Sequence, residues 1–374
     1  MYTIPDHFDK FLTNIQPREN RSVLAQTFAD CVRDYLKGTD LLKTVAPQSR
    51  LAGSYGRRTA IKNIKDVDTL VFIDPEYKTG KDREPTDVLN DLIDALQYLP
   101  EYLGDNEGTV DADLAIRRQR RSVHVTFTLP SGNGQDDETF EMDVVPVVAL
   151  DGLDKSLWVP DWDWSKWIET DPLGYGGFLS AINKVNCGKV KPLIKMLKHW
   201  RDVHMIYLRP KSYWLECMTV RLIESEKIFF KDISYAEIFS NLLGAIYERY
   251  EEDFQKEGTV PKIPDPMVGN NVAWNWERKD FETFMRRVDE SSRWAKRALE
   301  CDNEADAIAL WQKVFNRDSE DEYFPTTVED AAKAIAASRI ADTLRVTSKG
   351  TLMTNAVVGI CSVESPPHQF YGTE

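Results

Sequence analysis

Residues 66–74 read Asp-Val-Asp-Thr-Leu-Val-Phe-Ile-Asp, a β-branched and apolar run that opens on two acids. Such a run suits a strand, and on a strand the side chains at i and i+2 leave the same face. Asp66 and Asp68 therefore project together while Val67 packs the other way. Two adjacent carboxylates raise each other's pKa unless a cation lies between them. The cation that suits oxygen-only ligands is a hard one such as Mg²⁺. A D-x-D pair alone is equally compatible with an inert, solvated strand end, so the rest of the chain must decide.

Two further features bear on that choice. "FEMDVVPVV" sets Asp143 between Met142 and Val144 in a second apolar run. An acid embedded this way is costly unless it is paired, and it becomes sensible if this strand lies beside the first and the three acids share metal ions. Ahead of the first acid pair stands "GSYGRRT", with eleven residues between Ser54 and Asp66. Gly53 allows close backbone approach, and Ser54 offers a hydroxyl and an N–H. If this segment opens a short helix, its N-terminus suits a phosphate.

The chain carries a net charge of −14 with a pI near 5.0, which speaks against a protein that tracks long nucleic acid on a basic face. Locally the balance reverses. Between Gly176 and Lys211 stand eight Lys or Arg residues against one acid, Asp202, a segment suited to phosphates or, more plainly, a basic helix face. Lys191, Lys195 and Lys198 share one side of that helix by their spacing. The five cysteines are scattered without a C-x-x-C pair, as expected of thiols in a reducing compartment. The N-terminus lacks a secretory pattern and no apolar run is long enough for a membrane span. A cytoplasmic protein without a membrane partner is expected.

The period of the apolar residues predicts a long helix from residue 20 to Gly38, a short strand at "SRLAG", a strand at 66–74, and a helix over "DVLNDLIDALQYL". Strands are expected at "SVHVTFTL" and "TFEMDVVPVV", joined by the polar turn "PSGNGQDDE", with Pro146 at an edge or a terminus. Beyond about residue 160 helices dominate, including one over "VEDAAKAIAASRIA". The run of Arg117, Arg118, Arg120 and Arg121 is read either as lining a ligand cleft or as a solvated strand start. Trp162, Trp164 and Trp167 are read as packing between lobes. Together these give an α+β fold of two lobes: residues 1–170 with the long helix and mixed sheet, residues 171–350 mostly helical, and a mobile tail over 351–374.

Gly-Ser, eleven residues, D-x-D and a distant third Asp resemble the DNA polymerase β-like nucleotidyltransferase superfamily. The resemblance implies triphosphate contacts at Gly53 and Ser54, and two Mg²⁺ ions (or Mn²⁺) held by Asp66, Asp68 and Asp143. The segment "LIKMLKHWRDVHMIYLRPKSYWLE" is further similar to the cGAS/DncV-like nucleotidyltransferases of bacterial anti-phage signalling (CBASS), up to about residue 225. That similarity implies triphosphate contacts from Lys198 and Ser212, and base stacking on Tyr213. Relatives often carry Gly where Arg58 stands, which leaves the loop's shape and the role of Arg57 open. The zinc insertion of the animal enzymes has no counterpart.

The expectation that follows is a Mg²⁺-dependent enzyme joining nucleoside triphosphates, ATP first with GTP and others open, into a cyclic di- or trinucleotide with release of pyrophosphate. Transfer to an RNA 3′ end or a protein hydroxyl, and a non-catalytic nucleotide sensor, are the alternatives. The resemblance also raises a conjugation or regulatory partner at the C-terminal tail.

Overall fold

The computed structural model describes residues 2–17, 19–62, 66–81, 83–105, 112–129, 138–207, 210–317 and 322–328, with the short strands Arg345–Val346 and Leu352–Met353. Nearly all of the turn expected at 130–138, of the helix expected over 328–341 and of the tail lies outside them. The chain divides into one unit of residues 1–326 and a second of 327–374. Within the second, Arg345–Val346 pairs antiparallel with Leu352–Met353.

The first unit is α+β, built on a five-stranded mixed sheet. Its strands are β1 (Thr44–Leu51), β2 (Asp66–Ile73), β3 (Asp113–Arg118), β4 (Val123–Leu129) and β5 (Glu138–Val147), in the order β1-β2-β5-β4-β3. The only parallel pair among them is β2 with β5. Pro146 stands in an interior strand, but as its penultimate residue opposite Val71, where a missing N–H is least disruptive. A hairpin of β6 (Leu157–Asp161) and β7 (Lys166–Thr170) follows. The reading from periodicity passes over it, because its strands are short and heavy with Trp and charge.

The helices are α1 (Pro5–Asn14), α2 (Glu19–Gly38), the single turns α3 (Gly53–Gly56) and α4 (Glu76–Thr79), α5 (Pro85–Leu96) and α6 (Leu99–Asp105). They continue with α7 (Pro172–Val185), α8 (Val190–His204), α9 (Ser212–Glu224), α10 (Tyr235–Glu257), α11 (Arg278–Glu300) and α12 (Glu304–Phe315). The expected long helix is α2, ending at Gly38 as its sequence suggests. No helix among the described residues is long and apolar enough to cross a membrane.

Strand alternation sorts the sheet into two faces. Val67, Val71, Val125, Phe127, Phe140, Met142 and Val144 pack with Phe28 and Val32 of α2 and with Val88 and Leu92 of α5. The opposite face buries a smaller cluster, Leu70, Phe72 and Val147, under Leu157 and Val159 of the hairpin. Asp66, Asp68 and Asp143 lie on that second face, at the end this cluster leaves uncovered. A separate, larger core joins α7–α12, and it takes in Phe8 and Phe11 of α1, which meet Trp311, Phe315 and Phe324.

Phe28 stacks on Phe127 at 3.9 Å and lies 5.1 Å from Phe140, fastening α2 to the sheet. Phe28→Ala is expected to cost about 3–5 kcal/mol, the range for a buried aromatic, read as a lowered midpoint in urea unfolding followed by circular dichroism.

Candidate active site

The parallel pairing of β2 with β5 sets Asp66 opposite Glu141 and Asp68 opposite Asp143. Four acids thus share one face of two neighbouring strands, and Glu141 is one that the sequence pattern alone did not single out. Burial, the hydrogen bond to Glu141 and the charge of Asp143 push the Asp66 carboxyl up to about 6. Burial and Asp143 push Asp68 up to about 6 as well, opposed by Arg57 and Lys198. From β4, where His124 pairs with Asp143, the ring Nδ1 stands 2.8 Å from Asp143 Oδ1 and 3.2 Å from Gln119 Nε2. Asp143 is thereby restrained from the side away from β2.

Among the described residues no three His, Cys, Asp or Glu side chains close into a ready-made metal cage. Mg²⁺ is usually held by one or two carboxylates completed by water and substrate phosphates. The donors are oxygen-only and mutually repulsive, so the residues present fit such an ion.

The loop from β1 to β2 faces these acids. The Ala52 N–H donates to the Asp68 carbonyl at 2.8 Å. Gly53 has φ +57°, and a Cβ there would lie 1.7 Å from Asp68 Oδ2. Glycine is required twice over, for the backbone conformation and for the space. The helix expected after it is only the single turn α3. Beyond it the chain folds back, with the Thr59 and Ala60 N–H groups donating to the carbonyl of buried Ser54 at 2.8 and 3.1 Å. Arg58 sits at φ 59°, the left-handed region that favours Gly, which accounts physically for the glycine that resembling loops carry there.

Arg57 and Lys198 converge behind this loop on Glu216 of α9, all three largely or wholly buried. Burial pushes the Glu216 carboxyl up, but Arg57 and Lys198 outweigh it and hold it down at about 2. Lys198 is lowered to about 8, chiefly by burial and then by neighbouring Arg57, with Glu216 opposing. Its ammonium donates to Thr59 and Glu216 and is fully enclosed. Sequence reasoning placed Lys198 on the ligand and missed Glu216; its one signal is an acid amid the apolar residues of "SYWLECMTV".

Ser212 opens α9 and its hydroxyl accepts from Arg201 Nη1 at 2.8 Å. Tyr213 donates to Asp265 at 2.9 Å and meets Tyr175 edge-on at 5.1 Å, while Arg57 lies 5.4 Å from its ring centre. Lys191 donates to Ser180, and Lys195 to Gln16. Burial lowers Lys195 to about 8, helped by Lys198 and Lys191, and burial with Arg58 and Arg57 lowers Lys191. Cations crowded until their pKa falls make a place suited to an anion. Not all of the basic segment serves this, since Lys189 donates to the carbonyls of Phe230 and Ile233.

Arg120 and Arg121 both grip Asp161, a fully buried carboxylate at the end of β6, at 2.9 and 2.6 Å. Arg120 also lies 4.2 Å above Trp164, whose ring is 5.7 Å from Trp274. These arginines are therefore neither a merely solvated strand start nor free in a cleft, because they clamp the hairpin to the β3–β4 turn.

Residues 2–186 match the second messenger oligonucleotide or dinucleotide synthetase domain. The chain belongs to the cGAS/DncV-like nucleotidyltransferases. A cyclic AMP-AMP-AMP synthase of an Acinetobacter species is 28% identical over 314 residues, 83% of this chain and 84% of that one. A cyclic AMP-AMP-GMP synthase of Enterobacter hormaechei is 23% identical, over 82% and 90%. Among solved cGAS/DncV-like structures, Escherichia coli CdnC bound to HORMA-deltaN aligns with a TM-score of 0.60 at 18% identity, over 83% of this chain and 96% of that one. Bradyrhizobium diazoefficiens CdnG with GTP also aligns at 0.60, with 15% identity over 83% and 94%. Enzymes of the family are metal-dependent.

Gly53→Ala is expected to displace Asp68 and reduce nucleotide transfer by about 100-fold or more, the cost of an ångström-scale misplacement. Arg58→Gly, which relieves a left-handed arginine, should keep activity and raise Tm by about 2 °C. Product yield and thermal melts of the two variants check both.

Proposed function

We propose that this member of the nucleotidyltransferase family condenses ATP into a cyclic trinucleotide of the AMP-AMP-AMP type. The observation that carries the chemistry is the register of Asp68 beside Asp143, with Asp66 on the same face and the Gly53–Ser54 turn against Asp68. The choice of product is supported by the Acinetobacter and Escherichia coli relatives that are named cyclic AMP-AMP-AMP synthases.

In this reading Asp66, Asp68 and Asp143 would hold Mg²⁺, as two ions, with Mn²⁺ as a substitute. Bound there, the metal neutralises phosphate charge and acidifies the attacking hydroxyl. The rest falls to the chain. The turn at Gly53 brings main chain and the Ser54 side chain close enough to seat a triphosphate. Lys191 and Lys195 supply the positive charge that offsets it, and the Tyr213 ring, braced by Tyr175 and Asp265, gives a base a rigid face on which to stack. Ser212 lies beside it at the start of α9. His124 keeps Asp143 turned for its task. A ribose hydroxyl gives up its proton to solvent as its oxygen bonds to the α-phosphorus, the bond to the β-phosphate oxygen breaks, and pyrophosphate leaves. Repetition on the linear intermediate closes the ring.

The cyclic product would serve as a second messenger in anti-phage defence. The Escherichia coli relative solved with a HORMA protein supports a regulatory protein partner here too. A conjugation partner at the C-terminal tail is carried as a further proposal from the resemblance.

The test is incubation with Mg²⁺ and the four nucleoside triphosphates, phosphatase treatment, and mass spectrometry of what survives. A phosphatase-resistant cyclic trimer of AMP is expected, and only linear or no product would overturn the reading. The double variant Asp66→Asn, Asp68→Asn should abolish product yet melt higher in metal-free buffer, since it removes like charges from one face. Lys195→Met should follow the same pattern. A half-buried lysine held below its usual pKa disfavours the charged form, so below pH 8 its removal raises Tm by about 2 °C while weakening ATP affinity, as melts and calorimetry would read.

A further inference from the structure

We propose that Glu216 is a positioning residue: its carboxylate gathers Arg57 and Lys198 and so fixes the loop of residues 53–59 over the acids of β2 and β5. The inference rests on the nucleotide-binding reading of that loop. Glu216 lies one helical turn beyond Ser212 on α9 and is wholly buried. Its Oε2 accepts from Arg57 Nε at 2.9 Å, and its Oε1 accepts from Arg57 Nη2 at 3.3 Å, Thr59 Oγ1 at 2.9 Å and Lys198 Nζ at 2.6 Å. One carboxylate thus meets four donors, from the loop on one side and α8 on the other.

Thr59 passes the restraint along the loop. Its hydroxyl donates to Glu216 and accepts from Lys198 at 3.0 Å, and its carbonyl accepts from the same ammonium at 3.1 Å. Its N–H holds the Ser54 carbonyl at 2.8 Å. Arg57 is further confined beside the rings of Tyr175 and Tyr213, 5.3 and 5.4 Å from their centres. The other end of the loop is pinned at Asp68, through the Ala52 N–H and the close approach of Gly53. The loop is therefore suspended between two fixed points, one on the sheet and one in the helical core.

Glu216 and Lys198 are wholly enclosed, so in this arrangement they act on a bound nucleotide through the loop. Without the carboxylate, Lys198 can shed its proton but Arg57 cannot. An unpaired guanidinium buried between two tyrosines moves toward water and takes the loop with it.

Glu216→Gln keeps the volume and removes the charge. Its KM for ATP is expected to rise about tenfold through displacement of the Arg57–Thr59 end of the loop, with kcat at saturating ATP within about threefold because the Gly53 end stays pinned at Asp68, the signature of lost ground-state binding. Lys198→Met should raise KM as well, and the double variant should be no worse than the poorer single one, because the two residues act as a unit. Effects that multiply, or a Glu216→Gln protein that loses folded fraction and kcat with KM unchanged, would overturn the proposal. Calorimetric ATP binding separates it from the reading beneath it. Wild-type protein that binds ATP alongside a Glu216→Gln variant that binds equally well refutes the positioning role alone. Wild-type protein that binds no ATP removes both.

Discussion

The site depends on one parallel strand pair. β2 and β5 run side by side in a register that sets Asp68 against Asp143, on strands about 4.8 Å apart. Two carboxylates at such a distance repel by about 3 kcal/mol at an effective dielectric near 20. The fold tolerates this because the opposite faces of the same strands are packed without exposure, through Val67, Met142 and Val144 against α2 and α5. A slip of one residue would turn the apolar side chains out and the acids into the core. The hydrophobic pattern that stabilises the sheet is thus also what holds the acids in place.

Charge is organised around that pair in two ways. On the acid face, carboxylates of Asp66, Glu141, Asp68 and Asp143 are crowded, and Asp66 and Asp68 are raised in pKa. Across the loop, cations are crowded and lowered, as at Lys191, Lys195 and Lys198. Such separation suits a ligand carrying both signs, as the nucleoside triphosphate with its metal proposed above would. Between the two regions stands Glu216, an anion within the cationic side, which neutralises the cations that are structural and leaves the outer lysines uncompensated.

Much of the site was legible because its determinants are local. D-x-D on an apolar strand has one geometric meaning, and a glycine before it predicts a close backbone approach. The third acid needed only the inference that its strand lies alongside. What periodicity could not supply was depth. Lys191, Lys195 and Lys198 share a helix face by spacing, yet the enclosed one is Lys198, because α9 and the returning loop cover it. Glu216 looks like any polar residue of a helix until its partners, 159 and 18 positions away, are brought to it. The β6–β7 hairpin escaped for a different reason: its five-residue strands give too few repeats for a period to emerge, and α1 joins a core whose other members run from Tyr175 to Phe324.

The carboxylate of Asp68 occupies the space that a side chain at position 53 would need. The two positions are therefore not free to drift separately. A side chain at 53 requires a retreat at 68, and lengthening Asp68 to Glu would drive a methylene into the turn. Descendants of this sequence can diverge in surface, tail and helical core while this contact stays closed to variation from either side. Because the contact is steric, substitution at one position is tolerated only with a smaller side chain at the other, so the two are expected to change together.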